Sequence, residues 1–570
     1  MRKITAVMAT AVMAAGIGFT APALASAPAL ASAATAGAAS ATAGAASATA
    51  GAATSPVAWK TCAGKDLAQA GAKCGYLSVP LNYSRPDGPK IQLAVSRLQH
   101  TSSQADYQGA ILTNPGGPGG SGLTLSAGLA SALQSENFNS AAAEYDWIGF
   151  DPRGVGSSQP ALTCDPNYLG PDRGNYIPTT RQLLKYWKTR SKAYAAACAA
   201  HSPQQAALLR HDTTPDSARD MDSIRRALGV KQISYYGFSY GTYLGQVYST
   251  LFPSHVRRLI LDSNVDPRRV WYQANLDQDV AFDRNINIWF AWLAKYDSVY
   301  HLGTTRQAVA HLFYATQFGL EGHPAGGVVG PDEWNDIFLQ PAYYQLTWLD
   351  SAKLFADWVH DPGPASAQDL IDAYQSSDSP GDDNGYAGYL AVECTDAPWP
   401  QRFSRVVADN WAVFHQAPFM TWGNAWFNGP CSWWPARPAT PVHVNGSAVN
   451  SALLIDETLD AATPFEGSLE VRRLFPKSVL LAEPGGTSHA DSLFGDLCVD
   501  STIADYLTTG ALPARSNSAP WDKTCPPLPV PDPTAAATPA AAEAGSGAAR
   551  SIIRREHSLS RLPQAAMLGG

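Results

Sequence analysis

The stretch Tyr236-Gly237-Phe238-Ser239-Tyr240-Gly241-Thr242 decides the fold of this chain. It ends an apolar run, residues 231–236, that is typical of a buried strand, and it precedes residues 243–248, which are typical of a helix. The motif is therefore G-x-S-x-G in a strand–turn–helix context. A turn this tight requires small flanking residues, and it presents the serine hydroxyl at the tip of the strand. The pattern predicts that Ser239 is a nucleophile, although G-x-S-x-G alone is a weak motif.

Strand and helix patterns alternate on both sides of this motif. The predicted strands are residues 91–98, 110–113, 145–150, 256–262, 452–455 and 478–482, and the predicted helices are residues 216–228 and 466–474. This alternation indicates an α/β protein with a mostly parallel sheet and helices on both faces. Ligands of such sheets bind at the carboxyl ends of the strands, which is where Ser239 would lie.

A glycine-rich segment, residues 114–122, follows the strand at 110–113. It lacks the Gly-Lys-Ser/Thr of a phosphate loop and the acidic residue of a dinucleotide site, so it is either a flexible turn or the lining of an oxyanion hole. In the second interpretation the oxyanion donors are the backbone N–H groups of Gly117 and Tyr240. Asp151 and Arg153, after the next strand, are expected to form a structural turn beside this loop.

A serine nucleophile needs a base, and the base needs an acid that holds its tautomer. On this kind of sheet the chain order is Ser, then Asp or Glu, then His. His489 follows the last predicted strand, and Asp460 lies in the loop after the strand before it. Asp456 competes for the role of the acid because it lies nearer the strand end. The set predicts acyl transfer through Ser239, His489 and Asp460, with no metal and no cofactor.

The composition and the termini indicate an exported protein. The chain has 570 residues, 45% of them hydrophobic and 15% charged, and a net charge of −8, which gives no indication of nucleic-acid binding. Arg2 and Lys3 precede an apolar run, and Ala23-Leu24-Ala25 is a small-residue cleavage site, so residues 1–25 are predicted to be a signal peptide. Residues 26–55 are a low-complexity pro-segment or spacer, and residues 526–570 a disordered tail. We expect a secreted, extracellular protein without membrane contact after cleavage.

Eight cysteines agree with export, because an even number in an exported chain implies disulfides. Pairing in chain order is the working hypothesis, since the sequence alone cannot establish connectivity. Zinc motifs such as C-x-x-C and H-E-x-x-H are absent from the sequence. The predicted pairs are Cys62–Cys74, Cys164–Cys198, Cys394–Cys431 and Cys498–Cys525.

Tryptophan is concentrated in one part of the chain. Residues 266–441 contain 12 of the 16 tryptophans, in a sequence whose apolar positions mostly suit helices. We therefore predict a helical cap at residues 268–441, inserted between a core of residues 56–267 and its continuation at residues 442–525. Most of these rings would form an aromatic core, and some would line a cleft.

Four motifs together resemble the secreted tripeptidyl aminopeptidases of actinobacteria. They are Asn114-Pro115-Gly116-Gly117-Pro118-Gly119-Gly120-Ser121-Gly122, Asp151-Pro152-Arg153-Gly154-Val155-Gly156-Ser157, Gly237-Phe238-Ser239-Tyr240-Gly241-Thr242-Tyr243-Leu244-Gly245 and Asp460-Ala461-Ala462-Thr463-Pro464. The resemblance spans residues 59–525. It implies the α/β-hydrolase fold of the prolyl aminopeptidase relatives, a helical cap, no metal, and release of tripeptides from free N-termini. It assigns the nucleophile to Ser239, the acid to Asp460 and the base to His489.

Two departures from that family's pattern are present. Asp456 stands where a small residue is usual, which keeps it a competitor for the acid, and Thr487-Ser488 replaces the more common glycine just before His489. The substrates would be peptides with free N-termini, and we expect a monomer.

An enzyme that measures from a free amine needs a carboxylate at a set distance from its nucleophile. Glu393 is the predicted anchor and Asp396 the second, although a solvated acidic turn explains both equally well. The alternatives are an esterase or lipase with the same triad, a prolyl-type aminopeptidase that releases one or two residues, and a non-catalytic binding module.

Overall fold

The structure, a computed structural model, describes residues 56–378 and 380–535. Within these residues ten strands form a single sheet in the order β1-β2-β3-β5-β4-β6-β7-β8-β9-β10. Their bounds are β1 Lys60–Thr61, β2 Lys73–Pro80, β3 Lys90–Leu98, β4 Gly109–Asn114, β5 Tyr145–Phe150, β6 Ile233–Phe238, β7 Val256–Asp262, β8 Ala452–Glu457, β9 Ser478–Glu483 and β10 Lys523–Thr524. β1, β2, β3 and β5 pair antiparallel, and every pairing from β5 through to β10 is parallel.

The central strands are buried on both faces. β5, β6, β8 and β9 are buried at every position, which is why they appear in the sequence as continuous apolar runs rather than as alternating patterns. Successive residues point to opposite sides, so that Tyr235 lies in one hydrophobic cluster and Tyr236 in another. The predicted α/β-hydrolase fold, with a mostly parallel sheet, is confirmed.

Helices cover both faces of the sheet. The cluster that contains Tyr236 includes side chains of α2, α3 and α19, and the cluster that contains Tyr235 includes side chains of α6, α7 and α18, with the bounds that follow. The helices outside the insertion are α1 Lys65–Gln69, α2 Leu125–Ser135, α3 Asn139–Ala143, α4 Arg181–Ala200, α5 Pro203–Leu208, α6 Thr214–Ala227, α7 Tyr240–Leu251, α18 Glu466–Leu474 and α19 Leu497–Thr509.

Ten helices lie between β7 and β8 within the described residues, and they form the cap. They are α8 Tyr272–Lys295, α9 Asp297–Tyr300, α10 Arg306–Gly319, α11 Pro331–Ile337, α12 Gln340–Tyr343, α13 Trp348–His360, α14 Pro364–Asp378, α15 Asn384–Asp396, α16 Phe403–Phe414 and α17 Thr421–Phe427. The cap has its own aromatic cluster around Trp289, Phe313 and Trp334. α15 differs, because its apolar face belongs to the hydrophobic cluster of the sheet.

A second insertion into the core, between β5 and α6, was not predicted from the sequence. Its helix α4 is joined to the start of the segment by the Cys164–Cys198 disulfide, and Trp187 of α4 stacks on Trp426 of α17 with ring centroids 5.6 Å apart. Part of the predicted core segment 56–267 therefore packs on the cap. α4 carries a narrow apolar stripe on an otherwise polar and alanine-rich helix, so its sequence gave little periodic indication of this contact.

The eight cysteines form four disulfides, and the pairs are those predicted from chain order. The paired residues are 12 to 37 positions apart, so each bond closes a local loop. Loops of this size stabilise a fold by about 2–4 kcal/mol each, mainly by restricting the unfolded chain.

The first ten residues of the predicted disordered tail are ordered and contact the cap. Trp292 Nε1 donates a hydrogen bond to the carbonyl of Pro531 at 2.9 Å, and Gln345 Nε2 donates one to the carbonyl of Leu528 at 3.0 Å. Residues 526–535 thus lie against the cap, because a proline-rich segment has little conformational entropy to lose and its carbonyls are free to accept.

The predicted signal peptide and low-complexity segment lie outside the described residues. Between residues 56 and 535, leaving aside Ser379, no helix is both long and apolar enough to cross a membrane.

Candidate active site

Ser239 occupies the sharp turn between β6 and α7. Its backbone has φ 56° and ψ −125°, a region that side-chain-bearing residues rarely adopt. The Ser239 N–H donates to the carbonyl of Asp262 at the end of β7, at 3.0 Å, and this bond holds the strained turn against the neighbouring strand. The turn places Ser239 at the N-terminus of α7, where the first backbone N–H groups have no acceptor within the helix.

Three glycines allow this turn to form by permitting close backbone approach. A Cβ on Gly237 would lie 2.5 Å from the carbonyl oxygen of Gly241, and one on Gly241 would lie 2.7 Å from that of Asn114. Gly116, with φ +104°, is equally restricted, since its Cβ would lie 2.8 Å from that of Ser239. The glycines of the motif and of the glycine-rich loop therefore permit the same contact, the close packing of the loop against the Ser239 turn.

The end of β7 connects the serine turn to the loop that carries His489. Ser263 Oγ accepts a hydrogen bond from the N–H of Ala490 at 2.7 Å, and the Asp262 carboxylate accepts one from the N–H of Ser492 at 3.1 Å. Asp262 thus holds Ser239 through its backbone and the histidine loop through its side chain. Burial and the nearby Asp491 charge raise the pKa of Asp262 to about 7, although hydrogen bonds from Ser492 oppose the shift.

Asp460 holds His489 in a defined orientation. His489 Nδ1 lies 2.8 Å from Asp460 Oδ2, and both side chains are buried. Asp460 Oδ1 accepts from the N–H groups of Ala462 at 2.8 Å and Thr463 at 3.0 Å, and Oδ2 also accepts from Thr463 Oγ1 at 2.8 Å. Burial acts to raise the pKa of Asp460, but His489 and these donors outweigh it and hold the pKa below the usual value. An ionised Asp460 accepts only, so Nδ1 carries the proton and Nε2 has the basic lone pair.

Asp456, the competing candidate, does not reach His489. Asp456 Oδ2 accepts from Ser468 Oγ on α18 at 2.5 Å, which ties the end of β8 to that helix. The structure therefore brings Asp460, not Asp456, together with His489. The difference follows from the strand, because Asp456 still lies in β8 and Asp460 lies beyond it in the loop.

The glycine-rich loop lies between the nucleophile turn and α15. Gly117 lines the same cavity as Ser239 and Tyr240, so the loop and the nucleophile turn border one space. On its other side the loop meets α15 so closely that a Cβ on Gly119 would lie 2.2 Å from the carbonyl oxygen of Gly385. Asp151 supports the loop as expected, with Oδ1 accepting from Ser121 Oγ at 2.5 Å.

A cavity of about 670 Å³ opens between Ser239 and the cap. Glu393 of α15 lines it, although only 3% of the residue is exposed, and its Oε2 has no hydrogen-bond partner among the described residues. Burial, and secondly the charge of Asp396, raise the pKa of Glu393 well above its usual value. Glu393 thus borders the cavity as a buried carboxyl group whose Oε2 lacks a donor, and a cationic group that reached it would supply the missing partner.

Asp396, the predicted second anchor, has a different position. It is absent from the residues that line the cavity, and Thr214 donates to it through both its N–H, at 2.8 Å, and its hydroxyl, at 2.5 Å. Thr214 Oγ1 also lies 2.8 Å from the hydroxyl of Tyr240. Asp396 therefore holds the first turn of α6 beside Tyr240 and does not line the cavity.

Sequence reasoning missed two amides beside Glu393. Asn275 and Asn424 line the cavity, and Asn424 Nδ2 donates to the carbonyl of Asn275 at 3.0 Å and to Asp279 Oδ1 at 2.9 Å. They lie on different helices, so no spacing in the sequence connects them.

The tryptophans of the cap were expected to line the cleft in part. Trp271 lines the cavity, whereas Trp289, Trp334 and Trp348 lie in the aromatic core of the cap.

Comparisons with known proteins agree with this geometry. Residues 109–310 match the family model described as "alpha/beta hydrolase fold", and residues 417–525 match the one described as "TAP-like protein". The chain is 40% identical over 486 residues to a tripeptidyl aminopeptidase of Streptomyces coelicolor, covering 84% of this chain and 87% of that protein. It is 29% identical to serine protease Hip1 of Mycobacterium tuberculosis, covering 80% and 90% of the two chains.

A third relative has a different printed activity. Carboxylesterase B of Mycobacterium tuberculosis is 29% identical, covering 78% of this chain and 86% of that protein. The stronger match, over most of both chains, decides the assignment. This chain belongs to the tripeptidyl aminopeptidase family of serine hydrolases with the α/β-hydrolase fold.

Proposed function

We propose that the protein is a secreted serine exopeptidase that releases tripeptides from the free N-termini of peptides. The observation that carries this proposal is the buried carboxyl group of Glu393 in the same cavity as Ser239. The cavity of about 670 Å³ is in the range of about 300–1,000 Å³ that is usual for small-ligand pockets. The 40% identical tripeptidyl aminopeptidase supports the number of residues released.

In this proposal Ser239 Oγ attacks the carbonyl carbon of the scissile bond while His489 Nε2 takes the hydroxyl proton. Asp460 keeps Nδ1 protonated and stabilises the imidazolium that forms. The N–H groups of Gly117 and Tyr240 bind the oxyanion of the tetrahedral intermediate. His489 then gives its proton to the leaving amine, and the acyl-enzyme bond to Ser239 is cleaved by a water molecule that His489 deprotonates.

Glu393 would bind the ammonium group of the substrate. An ammonium brought against a desolvated carboxyl group favours the ionised form, so binding offsets the burial that raises the pKa of Glu393. Since the glycine-rich loop packs on α15, the distance between Ser239 and Glu393 would be rigid, and a rigid distance is what residue counting requires. The amide groups of Asn275 and Asn424 would complete the pocket.

The test compares a free-amine tripeptide anilide with its N-acetylated form. We expect wild type to favour the free amine strongly and Glu393→Gln to lose about 10- to 150-fold of that preference, the equivalent of one charged hydrogen bond of about 1.5–3 kcal/mol. Glu466→Gln is the matched control, since Glu466 also lines the cavity but is exposed. Equal discrimination by wild type and Glu393→Gln would remove Glu393 from the amine site.

The length of the released product is a separate measurement. Mass spectrometry of products from a ladder of unblocked peptides should show tripeptides at every start length. Single residues or dipeptides would replace the tripeptidyl assignment with a prolyl-type or dipeptidyl one.

A second candidate function is an esterase, which the 29% identical carboxylesterase B favours. The same triad would act on an ester without using Glu393. An esterase would hydrolyse a neutral blocked ester faster than a free-amine peptide, and Glu393→Gln would leave that rate unchanged. Labelling of Ser239 by a fluorophosphonate tests both enzymes against a non-catalytic binding module.

The four disulfides and the predicted signal peptide support secretion. N-terminal sequencing of the protein from culture medium would establish the mature start, and recovery only from the cell pellet would contradict export.

A further inference from the structure

Three buried carboxylates meet beneath the loop that carries His489. Glu457 ends β8, Glu483 ends β9, and Asp491 lies two residues beyond His489. One oxygen of each lies within 4.8 Å of the other two. The three residues are only 3%, 1% and 6% exposed, so the cluster is closed to bulk water.

This cluster lacks the partners that buried carboxylates normally have. Both oxygens of Glu483, and Oδ2 of Asp491, have no hydrogen-bond donor among the described residues; their nearest polar neighbours are other carboxyl groups, Asp496 beside Glu483 and Glu457 beside Asp491. Glu457 Oε2 accepts from the N–H of Ser488. Apart from that bond the carboxylates face one another as acceptors. Leaving buried carboxylate oxygens without donors is costly, and native proteins compensate such groups with a partner charge or a metal ion.

The surrounding charges do not supply that compensation. The charged groups that act most strongly on Glu483 are Asp491, Asp496 and Asp262, all of them acidic. A Cβ on Gly486 would lie 2.3 Å from Cδ of Glu457, so the loop backbone packs directly on this carboxylate and fixes its position. The cluster is therefore buried, packed against the loop backbone and rich in carboxyl oxygens without donors.

We propose that Glu457, Glu483 and Asp491 bind one divalent cation, and that Ca²⁺ is the ion. Carboxylate oxygens are hard ligands, and a site built from them alone favours Ca²⁺, Mg²⁺ or Mn²⁺ over zinc, which prefers nitrogen and sulfur ligands. Oxygens on opposite sides of a Ca²⁺ ion are about 4.8 Å apart, twice the bond length of about 2.4 Å, which accommodates the spread of the cluster. No motif predicts this site, because its ligands come from three separate segments of the chain.

The ion would position the acid and the base without touching substrate. Asp460 follows Glu457 by three residues, and His489 precedes Asp491 by two. Neutralising the repulsion between the carboxylates would join the ends of β8 and β9 to the histidine loop. These three residues are positioning residues, and the inference stands on their geometry whether the substrate is a peptide or an ester.

The test measures bound metal directly. Purified protein is treated with a chelator and then dialysed against about 5 mM CaCl₂, above the Kd of about 10⁻⁴–10⁻³ M that is common for extracellular calcium modules. We expect about one Ca²⁺ per wild-type chain by atomic emission and almost none in Glu483→Gln. Asp279→Asn is the matched control, since Asp279 is a buried carboxylate with an unpartnered Oδ2 in the cap, and it should keep the wild-type content.

Thermal unfolding is the second readout. Because Tm is compared with and without Ca²⁺ for the same protein, the measurement remains informative for a variant of low stability. Ca²⁺ at about 10 mM should raise the Tm of wild type by about 2 °C or more relative to chelator, and should leave Glu483→Gln and Asp491→Asn unshifted. A wild-type protein that binds no Ca²⁺ and whose Tm does not move would overturn the proposal, since shared protons would then hold the carboxylates together. Equal Ca²⁺ content in wild type and Glu483→Gln would overturn the site.

Discussion

Replacing Asp460 by asparagine is expected to remove nearly all activity without removing any hydrogen-bonding atom from the site. The reason is the direction in which the amide must face. Asp460 Oδ1 accepts two backbone N–H groups, from Ala462 and Thr463, so the asparagine oxygen is held on that side. The NH₂ group then occupies the position of Oδ2 and points its hydrogens at His489 Nδ1.

That orientation reverses the histidine tautomer. Nδ1 becomes the acceptor, the proton moves to Nε2, and Nε2 can no longer take the proton of Ser239. Loss of the correct tautomer in a serine–histidine–acid triad lowers kcat by about 10⁴-fold, which corresponds to about 5 kcal/mol of transition-state stabilisation. KM should change little, because Asp460 is fully buried and does not line the cavity.

The assay is steady-state hydrolysis of a free-amine tripeptide anilide, together with the rate of fluorophosphonate labelling at Ser239. Asp456→Asn is the matched control, since Asp456 is equally buried but bonds to Ser468, and it should stay within about tenfold of wild type. Far-ultraviolet circular dichroism and Tm show whether each variant is folded. Near-normal kcat in a folded Asp460→Asn protein, with a large loss in Asp456→Asn, would refute the reasoning and transfer the acid role.

Three further predictions test the loop, a buried ion pair and a titrating group. Gly116→Ala should lower kcat by about 10- to 100-fold in anilide assays, because the methyl group meets Ser239 at 2.8 Å; unchanged kcat and Tm would contradict that contact. Arg153→Met should cost about 3–5 kcal/mol in urea unfolding by leaving Asp220 buried and unpaired, and adding Asp220→Asn should restore part of it. Burial raises the pKa of Asp279 to about 8, so the folded state keeps this proton from pH 4 to 8 where the unfolded chain has lost it, and stability falls as pH rises across that window. Asp279→Asn should flatten the dependence by up to about 1.4 kcal/mol per pH unit between pH 5 and 8, and parallel profiles would refute it.

Local patterns were sufficient for the elements nearest the nucleophile. The strand before Ser239, the helix after it, the neighbouring central strands and the histidine loop were all predicted, because parallel strands buried on both faces produce continuous apolar runs. The edge strands β1, β2 and β10 and the insertion that contains α4 were not predicted. Short or half-exposed elements are stabilised mainly by contacts with distant parts of the chain, and those contacts leave no periodic pattern in the sequence.

For the acid and the amine anchor, too, the sequence supplied the candidates and the structure distinguished between them. Sequence order predicted an acid before His489, but Asp456 and Asp460 could be separated only by seeing which carboxylate reaches Nδ1. Glu393 and Asp396 are three residues apart on one helix, and only the packing of α15 on the sheet shows that Glu393 faces the cavity and Asp396 faces Thr214.

The sequence by itself determined the fold class and the chain order of the proposed triad, since both depend on local residue patterns and on order along the strands. It offered the disulfide pairs only as a hypothesis, which the structure confirmed. The tertiary structure alone decided which carboxylate meets the histidine, which one lines the cavity and which three gather beneath the loop that carries His489. The physical reason is that a carboxylate has the same local pattern wherever it lies, and its role is set by the donors, charges and water that the folded chain leaves around it.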